Sequence, residues 1–212
     1  MTLFFFLKVC EQSKLPKNVL DCGAGGKMPP LYVFRRCGFE TCGIDASEEE
    51  IRKARIFCEH RGIDLNIEKG DMRDLPFGDL SFSFAYSHNT IFHMPKREIA
   101  ASMKEMKRVL KRDGILYVNF LSVDDNEFGR GRKVGEGEFI QDECGGETLH
   151  SYFENDEPNQ YFDGFDILVR QKRANEIKPF APAGRKKAAV FLDYIAQKKH
   201  SEVSGSSINW TD

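Results

Sequence analysis

Two rhythms of apolar residues alternate along this chain. One is a short continuous run that breaks at an acid or a glycine; the other is a longer stretch whose apolar side chains recur every three or four residues. The first rhythm predicts buried strands at 18–22 and 40–45, through Leu65 and Ile67 up to Gly70, at Phe82–Ser87 and at Ile115–Leu121. The second predicts helices at 3–13, over Leu31, Phe34 and Cys37, at 48–61 with Ile51, Ala54 and Cys58 inward, and at 95–111 with Ile99, Met103, Met106 and Leu110 inward. Punctuation agrees with both. Pro16, Gly38 and Gly62 follow the first three helices, Ser47 with Glu50 makes a capping box, Pro95 opens the fourth helix, and Asp113-Gly114 turns the chain into the last strand. Strands and helices in alternation predict a parallel sheet covered by helices.

Beyond residue 121 the alternation lapses. Residues 122–147 are rich in glycine and charge and too long for a plain connection, so they read as a covering loop or hairpin over a pocket. A strand at 148–154, a short helix at 157–162 and a long strand at Phe165–Arg173 are expected to finish the sheet as an antiparallel edge hairpin. Residues 186–199 fit a strand or a helix equally, and the tail Ser201–Asp212 is expected to be disordered.

The candidate chemistry begins where the first strand breaks into Asp21-Cys22-Gly23-Ala24-Gly25-Gly26-Lys27. Glycines after a strand let backbone approach a ligand and supply positive φ, and helix-start N–H groups point into the gap. A dinucleotide fingerprint needs a third glycine where Met28 stands, and a phosphate-binding loop needs a hydroxyl residue after Lys27, so neither pattern is met. Asp21, ahead of the glycines, favours a cationic ligand over a pyrophosphate. Asp45 ends the second strand about twenty residues on, where an acid can accept from both hydroxyls of a ribose. A helix-capping role is its plainer alternative.

Taken together, Val-Leu-Asp-Cys-Gly-Ala-Gly-Gly (19–26), Gly-Ile-Asp-Ala-Ser (43–47), Gly-Asp-Met-Arg-Asp-Leu-Pro-Phe (70–77), Phe-Ala-Tyr-Ser (84–87) and Lys-Arg-Val-Leu-Lys-Arg-Asp-Gly-Ile-Leu (107–116) resemble the class I S-adenosylmethionine-dependent methyltransferases that act on small molecules. The resemblance covers roughly residues 15–122 and departs from the family at Lys27, where a third alternate glycine is usual. It implies a Rossmann-like, doubly wound, mostly parallel seven-stranded sheet with an antiparallel edge hairpin and helices on both faces. It implies that Asp21, Gly23, Ala24 and Gly25 surround the methionine part of the cofactor, Asp45 and Ala46 the ribose, and Asp71 with the Met72 N–H the adenine; a loop acid pairing with Arg73 is the plainer alternative for Asp71. Ser87 is expected near the methionine end. The reaction implied is methyl transfer to a small-molecule acceptor, with S-adenosylhomocysteine as product.

Composition narrows this further. With 212 residues, 41% of them hydrophobic, a single domain over 1–200 is expected. Lysine and arginine (31) nearly balance aspartate and glutamate (33), giving a formal charge of -2 and no basic field for nucleic acid. The apolar run Leu3–Leu7 has no preceding positive charge and is too short to span a bilayer, so it reads as a packing helix on an abbreviated N-terminus, with no membrane partner. Six cysteines without a Cys-x-x-Cys pair read as reduced thiols of a cytoplasmic protein, monomeric or homodimeric. His88 and His93 follow the fourth strand and are candidates for a general base or a substrate contact. Their spacing of five does not suit a metal pair, and Lys96-Arg97 and the Lys-Lys pairs near 186 and 198 read as solvated. Two other functions stay open: a catalytically silent cofactor-binding or regulatory protein, and a nicotinamide-dependent oxidoreductase.

Overall fold

The computed structural model describes residues 3–143, 146–177 and 187–199. Five strands run parallel: β1 (Asn18–Cys22), β2 (Glu40–Asp45), β3 (Ile67–Lys69), β4 (Phe82–Ser87) and β5 (Leu110–Ser122) lie in the order β3-β2-β1-β4-β5. The order reverses between β1 and β4, so a crevice opens there at the carboxyl ends. The helices α1 (Leu3–Gln12), α2 (Leu31–Arg36), α3 (Glu48–Arg61) and α4 (Lys96–Val109) pack on both faces.

Local signals explain most of this. Ser47 caps α3 by accepting from the Glu50 N–H at 3.3 Å, and Gly62 ends it in the left-handed conformation at φ 60°. Along β4 and β5 alternate residues enter two cores. Ala85, Leu116 and Val118 meet Ile99, Met103 and Met106 of α4, whereas Phe84, Tyr86 and Tyr117 meet Phe6 of α1 and Phe34 of α2. The α4 methionines are core residues, as their spacing predicts.

The second half departs from the pattern in instructive ways. The segment left open between strand and helix is β10 (Lys187–Lys198), antiparallel to β5, with β9 (Phe165–Ile177) on its far edge. Residues 191–196 are all buried because both faces of β10 are covered, and a strand buried on both sides shows no alternation to read. β5 begins at Leu110, which pairs with Phe82; the expected turn at Asp113-Gly114 is a kink inside the strand, with Asp113 at φ 60°. The strands β6 (Arg132–Gly135), β7 (Glu138–Glu143) and β8 (Gly146–Phe153) form an antiparallel strip. β4 pairs with β5 only as far as Val118, and β8 then pairs with Leu121 and Ser122 beyond its tip. Among the described residues the sheet therefore has ten strands: the path β3-β2-β1-β4-β5-β10-β9, plus a three-stranded branch at the carboxyl end. The edge hairpin is β9 with β10, whereas the strand expected at 148–154 to form it is β8, which runs parallel to β5 in the branch because 187–198 takes the place beside β5.

Two lysines expected to be solvated are not. Lys96 pairs with Glu157 at 2.6 Å and lies over the Phe153 ring, and Lys198 donates to the carbonyls of Lys107 and Leu110 at the end of α4. Cys10 and Cys22 are buried free thiols, while Cys144 and the tail 201–212 lie outside the described residues. No described helix is long and apolar enough to cross a membrane.

Candidate functional site

The turn after β1 is set by close packing. Gly23 (φ 106°) and Ala24 both donate to the Ile44 carbonyl at 2.9 Å, which ties the turn to β2. A Cβ at Gly23 would stand 2.4 Å from the Thr90 side chain, and one at Gly25 would stand 2.5 Å from Glu50 Cβ and 2.7 Å from Asp45 Oδ2. No larger residue fits at either position. The positive φ that follows is taken by Gly26 (106°), so Lys27 in place of a third alternate glycine costs the turn nothing.

Three acids stand on or just past three neighbouring strand tips, and their states differ. Asp45 is fixed by two backbone donors: Oδ2 accepts from Gly25 and Oδ1 from Ser47, each at 2.9 Å. Because Ser47 does the capping, Asp45 organises the turn and still faces the crevice. Asp71 accepts from Arg73, which also reaches Glu98 on α4, and this pairing holds its carboxyl below the usual range. Asp21 is buried at 1% exposure, and its Oδ2 has no hydrogen-bond partner. Burial pushes its carboxyl up to about 8; the Tyr86 hydroxyl opposes the shift and the charge of Asp45 adds to it.

A cavity of about 300 Å³ opens above these tips, with Gly23, Asp45, Ala46, Asp71, Met72 and His93 on its wall. Of the residues singled out in the sequence, these six are brought together. Asp21, Ala24, Gly25 and Ser87 lie off the lining: Ala24 packs against Gly43, Gly25 holds Asp45, and Ser87 is buried with Oγ unpartnered. Thr90 and Glu98 also line the cavity and are not marked in the sequence; Arg73 lines it as the partner of Asp71, the plainer reading of that acid. Asp45, Asp71 and Glu98 outnumber Arg73 among the charged residues on this wall, a balance suited to a cation-bearing ligand with hydroxyls.

The two histidines part company. His88 stands beside Tyr117 rather than in the cavity, and burial, aided by the Arg173 charge, lowers its pKa. His93 is exposed on the 3-10 turn Ile91–His93 and lines both the first cavity and a second of about 290 Å³ beneath β7 and β8. Its ring lies 4.8 Å from that of His150, centroid to centroid. The preceding segment is anchored by Asn89, whose N–H and Oδ1 bond to the buried Asn119 at 2.8 and 2.6 Å. Among the described residues no cluster of side chains suited to a metal ion is present.

Residues 20–118 match the family described as Methyltransferase domain. Over that stretch, just under half of the chain, it is similar to the methyltransferases. The chain is 30% identical over 158 residues to a sterol 24-C-methyltransferase of Pneumocystis carinii, a match covering 64% of this chain and 41% of that protein. It spans less than half the length of the curated relatives it matches. In fold, the chain resembles an S-adenosylmethionine-dependent methyltransferase from Methanosarcina mazei (TM-score 0.73, 22% identity, 92% of this chain and 98% of that one). It also resembles 1,6-didemethyltoxoflavin-N1-methyltransferase of Burkholderia thailandensis, solved with its substrate and S-adenosylhomocysteine (TM-score 0.61, 16% identity, 87% and 72%).

Proposed function

We propose that the chain is a methyltransferase that binds S-adenosylmethionine in the cavity at the tips of β1, β2 and β3 and transfers its methyl group to a small acceptor. The observation that carries this reading is Asp45, whose two oxygens are aimed into the cavity by the Gly25 and Ser47 N–H groups. Each oxygen keeps lone-pair capacity for one hydroxyl of a ribose. Asp71 and the Met72 N–H take the adenine edge, and Ala46 lies under the ribose. Gly23, Ala24 and Gly25 shape the path of the methionine part toward Asp21 and Ser87. Oδ2 of Asp21 and Oγ of Ser87, buried on the adjoining strands β1 and β4 without a hydrogen-bond partner, leave polar capacity behind that end of the cavity.

When bound, the cofactor supplies a methyl on a sulfonium, whose C–S bond breaks with its electron pair returning to sulfur as the bond to the acceptor forms. The chain's own contribution is to hold two molecules in line and exclude water, an effect worth on the order of 7–11 kcal/mol of barrier. Residues 122–143, which include β6 and β7, cover the acceptor side.

Calorimetry with S-adenosylmethionine, S-adenosylhomocysteine and NADH tests the reading. Binding of the first two and none of NADH is expected; NADH binding alone would end it in favour of an oxidoreductase. Cofactor binding without S-adenosylhomocysteine release over a broad acceptor screen would favour a silent binding protein.

A further inference from the structure

Where β4 stops pairing with β5, a side chain takes over. The backbone ladder ends at Ser87 opposite Val118, and one residue further along β5 the fully buried Asn119 reaches to the segment that leaves β4. We infer that Asn119 is a positioning residue for the amino-acid end of the cofactor, acting through Asn89 and Thr90. It rests on the proposed cofactor cavity, to which it adds a support from behind the wall.

Three observations carry it, beginning with the clasp itself. The Asn89 N–H can only donate, so the Asn119 oxygen is the atom that faces it, at 2.8 Å. That turns the Asn119 amide nitrogen to donate to Asn89 Oδ1 at 2.6 Å. Both ends of one buried amide are thus matched to a single residue.

Second is the direction the chain takes. Asn89 is left-handed at φ 57°, a conformation that asparagine adopts more readily than most residues, and here the chain leaves the line of β4. Ile91 and Phe92 then bury the following turn in two separate cores, and the His93 N–H closes it on the Thr90 carbonyl at 2.9 Å. Apolar packing has no preferred direction and permits the turn to rotate; the two bonds to Asn119 are directional and fix where it starts.

Third is what the turn carries. Thr90 occupies the place that a side chain at Gly23 would need, for a Cβ built there would lie 2.4 Å from both Thr90 Cγ2 and Oγ1. Thr90 Oγ1 donates to the His88 carbonyl at 3.2 Å, which holds the rotamer. Thr90 and Gly23 both line the cofactor cavity, so the height of Thr90 sets how closely a ligand lying along Gly23 is enclosed. The adenosine end answers to other supports: Asp45 is held by Gly25 and Ser47, and Asp71 by Arg73. Loosening the clasp therefore frees one end of the ligand and leaves the other in place.

The test compares two ligands that share the adenosyl thioether and differ in the amino-acid end: S-adenosylhomocysteine and methylthioadenosine. Each is titrated by calorimetry into the full chain and two variants. Asn119→Leu removes both bonds with a side chain of similar size, and is expected to weaken S-adenosylhomocysteine by about tenfold or more while methylthioadenosine stays within about threefold. Asn89→Gly is milder: at this exposed position glycine keeps the positive φ and the N–H bond but loses the second bond. It is expected to weaken S-adenosylhomocysteine by about threefold or more with methylthioadenosine unchanged, and it decides alone if Asn119→Leu does not fold. Equal weakening of both ligands would make the clasp merely structural and overturn the assignment, as would unchanged affinity for S-adenosylhomocysteine in a folded variant. A parent chain that binds methylthioadenosine as tightly as S-adenosylhomocysteine would overturn it too, while leaving an adenosyl site standing. A parent chain that binds neither would strike the cofactor reading itself.

Discussion

Two buried aspartates, one in each half of the sheet, are treated in opposite ways. Asp193 on β10 is fully engaged: Tyr117 donates to Oδ1 at 2.8 Å, and Arg173 donates to Oδ2 at 2.7 Å from Nε and to Oδ1 at 3.3 Å from Nη2. Burial and this carboxylate together push the Tyr117 phenol up, keeping it a donor. Asp21 on β1 is buried as completely and has an oxygen with no partner. A satisfied buried carboxylate ties its strands together; an unpartnered buried carboxyl costs stability and calls for something that completes it. The antiparallel half spends its acid on architecture, and under the proposed function the parallel half leaves its acid for a ligand.

The sharpest way to break this contrast is through pH. The Asp21 carboxyl is raised from about 3.8 to about 8, so the folded state holds a proton that the unfolded chain releases. The contribution of that proton is complete below about pH 4 and is lost as pH rises through about 8. At about 1.4 kcal/mol per unit, Asp21→Asn is expected to gain stability relative to the parent by on the order of 5 kcal/mol between those limits, read from urea unfolding at several pH values. A constant difference between the two proteins would show that Asp21 is already paired. Next in size is Asp193→Ala, which strands Arg173 and Tyr117 in the interior. It is expected to cost about 3–5 kcal/mol of unfolding free energy with no change in cofactor affinity, since the cluster lies off the cavity. A loss of affinity in folded protein would mean that the two halves are coupled. Smallest is Asp45→Ala, which removes charge-assisted hydrogen bonds and is expected to weaken S-adenosylhomocysteine binding by about 1.5–3 kcal/mol. Undiminished affinity in calorimetry would take Asp45 out of the site.

How much of this was readable in advance follows the same division. In the parallel half each strand ends in its own turn chemistry, so Gly23, Asp45 and Asp71 announce themselves within a few residues and their meeting follows from the parallel order. Even there, packing was hidden: nothing local tells that Thr90 closes over Gly23 or that Glu98 reaches back to Arg73. The second cavity was beyond reach because its walls come from register. Asp125, Gln141, His150 and Phe191 are scattered over residues 125–191 and converge only when β8 pairs with β7 and with the end of β5. His88 and His93 looked equivalent as neighbours in sequence. The turn at Asn89, at φ 57° and fastened to Asn119, sends one ring toward Tyr117 and the other between the cavities.

The junction of β8 with β5 amounts to two residue pairs, Leu121 with Tyr152 and Ser122 with Phe153. Main-chain bonding of this kind is indifferent to which side chains the visiting strand carries. Under the proposed function, a strip of different length or composition could be grafted onto the same two residues to change the acceptor, provided that its last residue still fills the place of Phe153 in the main core.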